Sequence, residues 1–337
     1  MPRLRRADCS DPGIRRVRRG RGFGYEDPEG RPVRDEEPLE RIHELAIPPA
    51  WTDVWICADP RGHIQATGYD DAGRKQYLYH QAWREHRDRE KFDQMVSFAR
   101  ALPALRRRTE RDLERRGLVR ERVLGCALRL LDLGLFRIGS ERYASSNGTY
   151  GLATLERSHL ELKRGEAVFE YPAKGSRTHV QVVADPLTLP TLRALKARRA
   201  NGSSLLAYRE GRAWHDVRSD EINEHLKELA GGEYSAKDFR TWNATVLAAV
   251  SLAAHDPPPR SRTARRRAIK EAIERVAGYL ANTPAVCRSA YVDPRVIDRF
   301  NDGETIGASL SRIVAESDPG EFPDRGRIEA AVLKLIE

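Results

Sequence analysis

Two arginines, a lysine and a tyrosine of this chain each sit inside a distinctive short string. Arg137 lies in Phe136-Arg-Ile-Gly-Ser-Glu-Arg-Tyr143 and Lys174 in Tyr171-Pro-Ala-Lys-Gly-Ser176. Arg240 lies in Lys237-Asp-Phe-Arg-Thr-Trp242, and Tyr291 closes Asn282-Thr-Pro-Ala-Val-Cys-Arg-Ser-Ala-Tyr291. These residue types meet the needs of metal-free attack on a phosphodiester. A phenol supplies the nucleophile, two guanidinium groups hold the anionic transition state, and an ammonium protonates the leaving oxygen. A free phenol titrates near about 10, so it needs neighbouring cations, and arginine stays charged in that role. Attack would leave a phosphotyrosine and release a sugar hydroxyl. The bond energy stays in the link to the protein, so resealing would need no ATP.

Arg137 and Arg240 can each donate two hydrogen bonds to non-bridging phosphate oxygens. Lys174, beside Gly175 in a predicted β-turn, can reach where a helix could not, and its ammonium is a general acid if neighbouring arginines lower its pKa. Asn282, nine residues before Tyr291, offers an amide donor that adds no charge. Taken singly, an Arg, Lys or Tyr in a basic protein is usually solvated or packed, so the surrounding strings carry the argument.

The elements that must position these residues fall into two regions. Residues 22–85 read as β-rich. Phe23 and Tyr25 before Asp27-Pro-Glu-Gly30 predict a hairpin, Asp53–Cys57 and His63–Thr67 a second one, and Lys75–Tyr79 a short alternating strand. A helical piece at Pro38–Leu45 ends before Pro48-Pro49. Residues 86–337 read as mainly helical. Phe92, Met95, Val96, Ala99 and Leu102 recur at helical spacing and stop at Pro103; Val123, Leu124, Ala127, Leu128 and Leu131 repeat the pattern. A short antiparallel β excursion over 160–182 carries Lys174. Helices resume around 186–198, 217–230, 237–254, 265–280, 292–301 and from about 304 onward. The fold class is therefore α+β, a small β-rich N-terminal domain and a larger helical one that holds all four chemical residues.

Residues 1–21 contain eight arginines and read as a flexible basic arm. Across the 337 residues, 59 Lys and Arg oppose 50 Asp and Glu, a net charge of +9, which points to a polyanion, most commonly nucleic acid. Cys9, Cys57, Cys126 and Cys287 are scattered without metal-ligand spacing. Their reading is reduced thiols in a cytoplasm, with Cys287 either near the chemistry or in the core. No apolar run approaches a membrane span and no secretory signal is present.

The strings resemble the type IB DNA topoisomerases of the compact poxvirus-like and bacterial kind. The resemblance runs from about Gly22 to Pro294. It includes Arg41-Ile-His-Glu-Leu-Ala-Ile-Pro-Pro-Ala-Trp51, Gly73-Arg-Lys-Gln-Tyr-Leu-Tyr-His80, Tyr150-Gly-Leu-Ala-Thr-Leu155 and the four segments above. It implies a C-clamp around double-stranded DNA, related in its catalytic domain to the tyrosine recombinases. It also implies nicking through a 3′-phosphotyrosyl intermediate, rotation of the free end and religation. Tyr291 would be the nucleophile, Arg137 and Arg240 the transition-state stabilisers, and Lys174 the general acid. The fifth catalytic position is histidine in the poxvirus pattern and Asn282 here. Gln76, Tyr77 and Tyr79 match a segment laid in the major groove, and Arg142 with Tyr143 a second DNA-facing segment; strand packing is the alternative for Tyr77 and Tyr79. No metal, small-molecule cofactor or membrane is called for. The expected state is a monomer, cytoplasmic and associated with the nucleoid.

A tyrosine recombinase is the nearest rival, but those enzymes usually show His-x-x-Arg, and here the four residues are Lys237-Asp-Phe-Arg240. A non-catalytic DNA-binding protein would explain the charge but not Tyr291 and Lys174 in their strings.

Overall fold

The computed structural model describes residues 3–134, 136–139, 141, 148–173, 177–199, 202–318 and 322–337. The chain falls into two compact units, Met1–Asp93 and Gln94–Glu337. None of the described helices is long and apolar enough to cross a membrane.

In the first unit, β1 (Ile14–Arg19), β2 (Gly22–Glu26), β3 (Thr52–Ile56), β4 (Ile64–Tyr69) and β5 (Lys75–Tyr79) form one antiparallel sheet ordered β2-β1-β3-β4-β5. Period-two alternation turns Val54 and Ile56 of β3 to one face, where Ile42 of α1 (Glu36–Glu44) covers them together with Ile14 and Ala66. Arg41 secures the helix by donating to Gln65 Oε1 at 2.7 Å and to the Cys57 carbonyl at 2.6 Å.

The expected basic arm is corrected here. Residues 14–19 are strand β1, which lies between β2 and β3 and pairs with both. Ile14 is a core residue, and the Arg16 guanidinium lies 4.1 Å from the Phe23 ring centroid. Arg16 also donates to the Pro48 and Trp51 carbonyls at 3.1 and 2.5 Å. Further upstream, Arg5 exchanges backbone hydrogen bonds with Arg61 and His63. Phe23 and Tyr25 accordingly pair backward onto β1, through a tight turn in which Gly20 takes the positive φ of +59°. Asp27–Gly30 is a turn as expected, but it leads into a single bridge, Glu26 to Pro32.

The second unit is mainly helical: α2 (Gln81–Leu113, its first residues counted in the first unit), α3 (Arg120–Asp132), α4 (Leu189–Ala197), α5 (Ser219–Ala230), α6 (Ala236–Ala253), α7 (Arg262–Leu280), α8 (Pro284–Ala290), α9 (Pro294–Asp302), α10 (Gly307–Ala315) and α11 (Arg325–Ile336). Strands β6 (Leu160–Lys163), β7 (Glu166–Ala173) and β8 (Arg177–Val183) make the expected antiparallel excursion, and β9 (Ala207–Glu210) with β10 (Ala213–Asp216) forms a hairpin. A helix end at Pro103 is also corrected, since α2 runs through that residue. Proline inside a helix costs about 3 kcal/mol. Phe98, Leu102 and Leu105 around it are at most 2% exposed, and burying them outweighs that cost.

A buried ionic cluster fastens the last helix to this core. Arg106 of α2 makes a fork with Asp132 (2.8 and 2.9 Å) and a second with Glu329 of α11 (2.7 and 2.8 Å). Arg325 reaches Asp132 at 3.0 Å and Asn243 of α6 at 2.8 Å. Burial alone would raise the Asp132 carboxyl, but Arg325, Arg106 and Arg129 together hold it below its ordinary value of 3.8. A depressed carboxylate stabilises the fold above its unfolded pKa, and that stability is lost as pH falls through the folded one. Asp132→Asn is therefore expected to lose on the order of 3–5 kcal/mol at neutral pH, the usual cost of breaking a buried pair. Its stability should also fall less steeply than the parent's below about pH 4. Denaturant titrations at neutral and acid pH check this; equal midpoints at neutral pH would remove the cluster from the stability of the fold.

Candidate active site

The C-terminal end of α7 is where the separated strings meet. A helix leaves its last carbonyls without intrahelical partners, and its dipole makes that end negative. Here the Leu280 carbonyl accepts from Arg240 Nη2 at 2.9 Å, and the Ala281 carbonyl from Arg137 Nη2 at 2.8 Å. Arg137 Nη2 also donates to Asn282 Oδ1 at 2.7 Å. Ala281 itself takes the left-handed conformation, φ 49° and ψ 51°, which turns Asn282 out of the helix. Two cations are thus held by carbonyl dipoles, which orient them without cancelling their charge.

Each side chain reaches this point through local rules. Arg240 lies in the first turns of α6, where Ser235 and Asp238 form a capping box; the Ser235 N–H and hydroxyl donate to Asp238 Oδ2 at 2.7 and 2.9 Å. Phe239 and Trp242 on either side are buried, and Arg240 is itself only 4% exposed. Burial lowers its pKa, Tyr291 opposes that, and Arg137 adds to it. Tyr291 follows α8, a helix not foreseen from the sequence. Thr283 caps α8 by accepting from the Val286 N–H at 3.3 Å, and Pro284 occupies the first turn. The Arg240 guanidinium sits 5.4 Å from the centroid of the Tyr291 ring.

Thr245, fully buried on α6, ties the nucleophile's backbone to the helix of Arg240. Its hydroxyl accepts from the Asp293 N–H at 3.1 Å and lies within donating reach of the Thr241 and Tyr291 carbonyls at 2.9 and 3.3 Å. Cys287 is buried, and burial pushes its thiol up. Its carbonyl accepts from the Tyr291 and Val292 N–H groups, and its thiol lies in the core within electrostatic reach of Arg240 and Arg137, so both readings left open for it describe its place.

Arg137 is set by a crossing of two backbones. Phe136 is buried edge-on against Phe169, ring centroids 4.9 Å apart. The Arg137 and Ile138 carbonyls accept from the Leu152 and Ala153 N–H groups at 2.8 and 2.7 Å. Gly139 and Gly151 allow the approach: a Cβ on Gly151 would stand 2.4 Å from the Gly139 Cα and 2.8 Å from the Arg137 carbonyl oxygen. Gly151→Ala must therefore shift the Arg137 segment. A displacement near 1 Å at a reacting centre costs about 100-fold, and that loss is expected in single-turnover DNA cleavage with duplex binding retained. Cleavage within threefold of the parent would show that the crossing does not set Arg137.

Between these elements lies a cavity of about 640 Å³ lined by Arg137, Arg240, Asn282, Tyr171, His179 and Tyr150 among others, with no carboxylate among the described lining residues. The Asn282 Nδ2 group is buried without a hydrogen-bond partner among the described residues. Tyr171 and His179, paired across β7 and β8, were not singled out from the sequence; only strand register brings them here. Burial pushes the Tyr171 phenol up to about 12, against the pull of both arginines. His179 is lowered by burial, against an opposing hydrogen bond with Gln181, and lowered further by Arg137 and Arg240; all but the Gln181 contact bias its imidazole toward the neutral form. Lys174, Arg142 and Tyr143 lie outside the described residues; Ala173, next to Lys174, lines the cavity.

In the first unit, Tyr77 and Tyr79 stack outward on edge strand β5, 41% and 36% exposed with ring centroids 6.0 Å apart. Lys75 lies over Tyr77 at 5.7 Å. Leu78 turns the other way, against the core. Gln76, on the Leu78 side of the strand, donates to Asp70 at 2.9 Å.

The profile of the eukaryotic DNA topoisomerase I catalytic core matches residues 80–306. The chain belongs to the DNA topoisomerase I family. The profile of the bacterial DNA topoisomerase IB N-terminal domain matches residues 22–70, which marks the chain as a type IB member. Among its relatives is the DNA topoisomerase 1B of Acanthamoeba polyphaga mimivirus, 29% identical over 287 residues, covering 83% of this chain and 85% of that protein. The DNA topoisomerase 1B of vaccinia virus (strain Western Reserve) is 20% identical over 278 residues, covering 80% of this chain and 85% of its own. The DNA topoisomerase 1 of Schizosaccharomyces pombe is 28% identical over 167 residues, 49% of this chain and 19% of that protein. The small N-terminal β-sheet unit and the larger helical one agree with a type IB topoisomerase.

Proposed function

We propose that this chain relaxes supercoiled duplex DNA by cutting one strand through a 3′-phosphotyrosyl intermediate, letting the free end rotate, and resealing without ATP or metal. The observation that carries this reading is the cavity itself. Two guanidinium groups and an amide nitrogen with no partner among the described residues converge where no described lining residue is a carboxylate, with a tyrosine ring against one guanidinium. Such a site favours an anion, and a phosphodiester brings one charge with two non-bridging oxygens.

In this proposal Tyr291 attacks phosphorus while Arg137 and Arg240 hold the non-bridging oxygens. Asn282 donates its amide to one of them. Lys174 gives its proton to the 5′-oxygen that leaves, and resealing reverses each transfer. Burial pushes the Tyr171 phenol up, which disfavours it as the nucleophile. The N-terminal β-sheet unit, β1 included, serves as a DNA-binding domain and the helical unit as the catalytic domain, closing as a C-clamp in the manner of the family. Tyr77 and Tyr79, with Gln76, Arg142 and Tyr143, contact the duplex. The protein acts as a monomer in the cytoplasm, on the nucleoid. A site-specific recombinase is disfavoured by Lys237 at the position where His-x-x-Arg would put histidine.

The test is relaxation of negatively supercoiled plasmid by the purified protein in EDTA without ATP. Complete relaxation is expected. Binding of the plasmid without any change in its linking number would overturn the proposal in favour of a binding protein.

A further inference from the structure

A second cavity in the helical unit, of about 700 Å³, shares no described lining residue with the catalytic one. Three pieces of chain wall it: the loop at Gly117–Val119 between α2 and α3, the end of α4, and the hairpin of β9 and β10. The hairpin is fixed against the loop, since the Arg209 N–H donates to the Leu118 carbonyl at 2.8 Å. Strand register then decides what faces the cavity. Arg209 pairs with Trp214 and Tyr208 with His215. Period-two alternation therefore sends Arg209 and Trp214 to one face and the Tyr208–His215 stack to the other.

Arg198, Arg199, Arg209 and Arg212 bring four guanidinium groups here, and no described lining residue is a carboxylate. Arg198 is 7% exposed and is held by the backbone. It donates to the Leu195 and Leu205 carbonyls at 3.0 and 2.7 Å, and also to the Ser204 carbonyl. Those dipoles orient its charge without cancelling it, and the guanidinium lies 5.8 Å from the centroid of the Trp214 ring. Burial and Arg157 lower its pKa, and Asp216 opposes them. Arg199, Arg209 and Arg212 are exposed and make no ion pair among the described residues; Arg209 Nε donates to the Gly211 carbonyl at 3.0 Å.

Like charges gathered without a carboxylate favour a polyanion. The half-buried Trp214 narrows the class, because an indole face is a platform on which a flat ring stacks. The volume is that of a site for one small molecule, about 300–1,000 Å³. A duplex offers its phosphates one at a time along a strand. Arg199 from beyond α4, with Arg209 and Arg212 on either side of the hairpin turn, surrounds one concavity and suits phosphates joined to each other.

We propose that this cavity binds a free nucleoside polyphosphate, with the base stacked on Trp214 and the phosphates held by Arg199, Arg209 and Arg212. The nucleotide is bound and not hydrolysed, since no described lining residue could hold a magnesium ion or activate water. It is an effector and no reactant, so the proposal stands apart from the role of Tyr291.

The test titrates the full chain with ATP by calorimetry at low salt, with adenosine and inorganic tripolyphosphate as the two halves of the ligand. One ATP per chain is expected, and each half should bind at least about tenfold more weakly. Arg199→Gln with Arg212→Gln should weaken ATP at least about tenfold, the loss of two charge-assisted contacts. Trp214→Ala should weaken it about fivefold or more, and Trp214→Phe should keep most of the affinity, since stacking needs only a ring. The arginines are exposed, so their replacement should leave the thermal midpoint and plasmid relaxation at the parent's level. Saturating duplex DNA should leave ATP binding unchanged. The site is overturned by unaltered ATP affinity in the arginine pair, by tripolyphosphate binding as tightly as ATP, or by displacement of ATP by the duplex. A parent that binds ATP but fails to relax plasmid strikes the function above and leaves this site standing.

Discussion

Tyr291→Phe is expected to bind duplex DNA as the parent does, to form no covalent adduct, and to leave supercoiled plasmid untouched. The substitution removes one oxygen and keeps the ring. The contact with Arg240 at 5.4 Å is to the face of that ring, which phenylalanine also offers, so the fold should not register the change. Tyr171→Phe is the matched control. It lines the cavity, and burial pushes its phenol up to about 12, so cleavage should persist without it. Denaturing gels of labelled DNA read both. A covalent adduct formed by the Tyr291 variant, or lost in the Tyr171 one, would move the nucleophile elsewhere.

Arg240→Ala is expected to slow single-turnover cleavage by about 100- to 1,000-fold, the usual cost of losing one donor to a developing anion. It should also lower stability by about 1–3 kcal/mol, because the Leu280 carbonyl loses the 2.9 Å donor it has in the buried site. Arg240→Lys separates the two effects. A lysine keeps the charge but cannot offer a planar pair of N–H groups to two phosphate oxygens, so much of the rate should stay lost while duplex binding holds. Cleavage by Arg240→Ala within tenfold of the parent would remove it from the transition state and leave it a packing residue.

The chemistry was legible because it is written in short strings whose residue types have few other joint uses. Arg137, Arg240 and Asn282 do meet at one helix end, and the Tyr291 ring lies against Arg240. What brings them together was not legible. The acceptors for both arginines are backbone carbonyls of Leu280 and Ala281, which any sequence would supply. Helix α8 is too short to show a period, and its cues are Thr283 and Pro284 alone. Tyr171 and His179 enter the cavity by strand register across a hairpin. Strand β1 was hidden by its own charge. Composition over residues 1–21 outvoted Ile14, and no pattern shows that the Arg16 guanidinium is used up by carbonyls near Trp51.

The hydroxyl of Thr245 has a mechanical meaning if the proposed intermediate forms. One DNA end then hangs from a single phenolic oxygen while the other turns, and any tug travels down Tyr291 into its backbone. Thr245 contacts that backbone at residues 291 and 293 and is rooted in α6, five residues beyond Arg240. The load therefore returns to the helix whose arginine holds the phosphate. Phosphate, tyrosine, threonine and arginine make a closed loop of force a few side chains long. A pull on the DNA displaces grip and nucleophile as one body, so the alignment needed for resealing outlasts the swing of the strand.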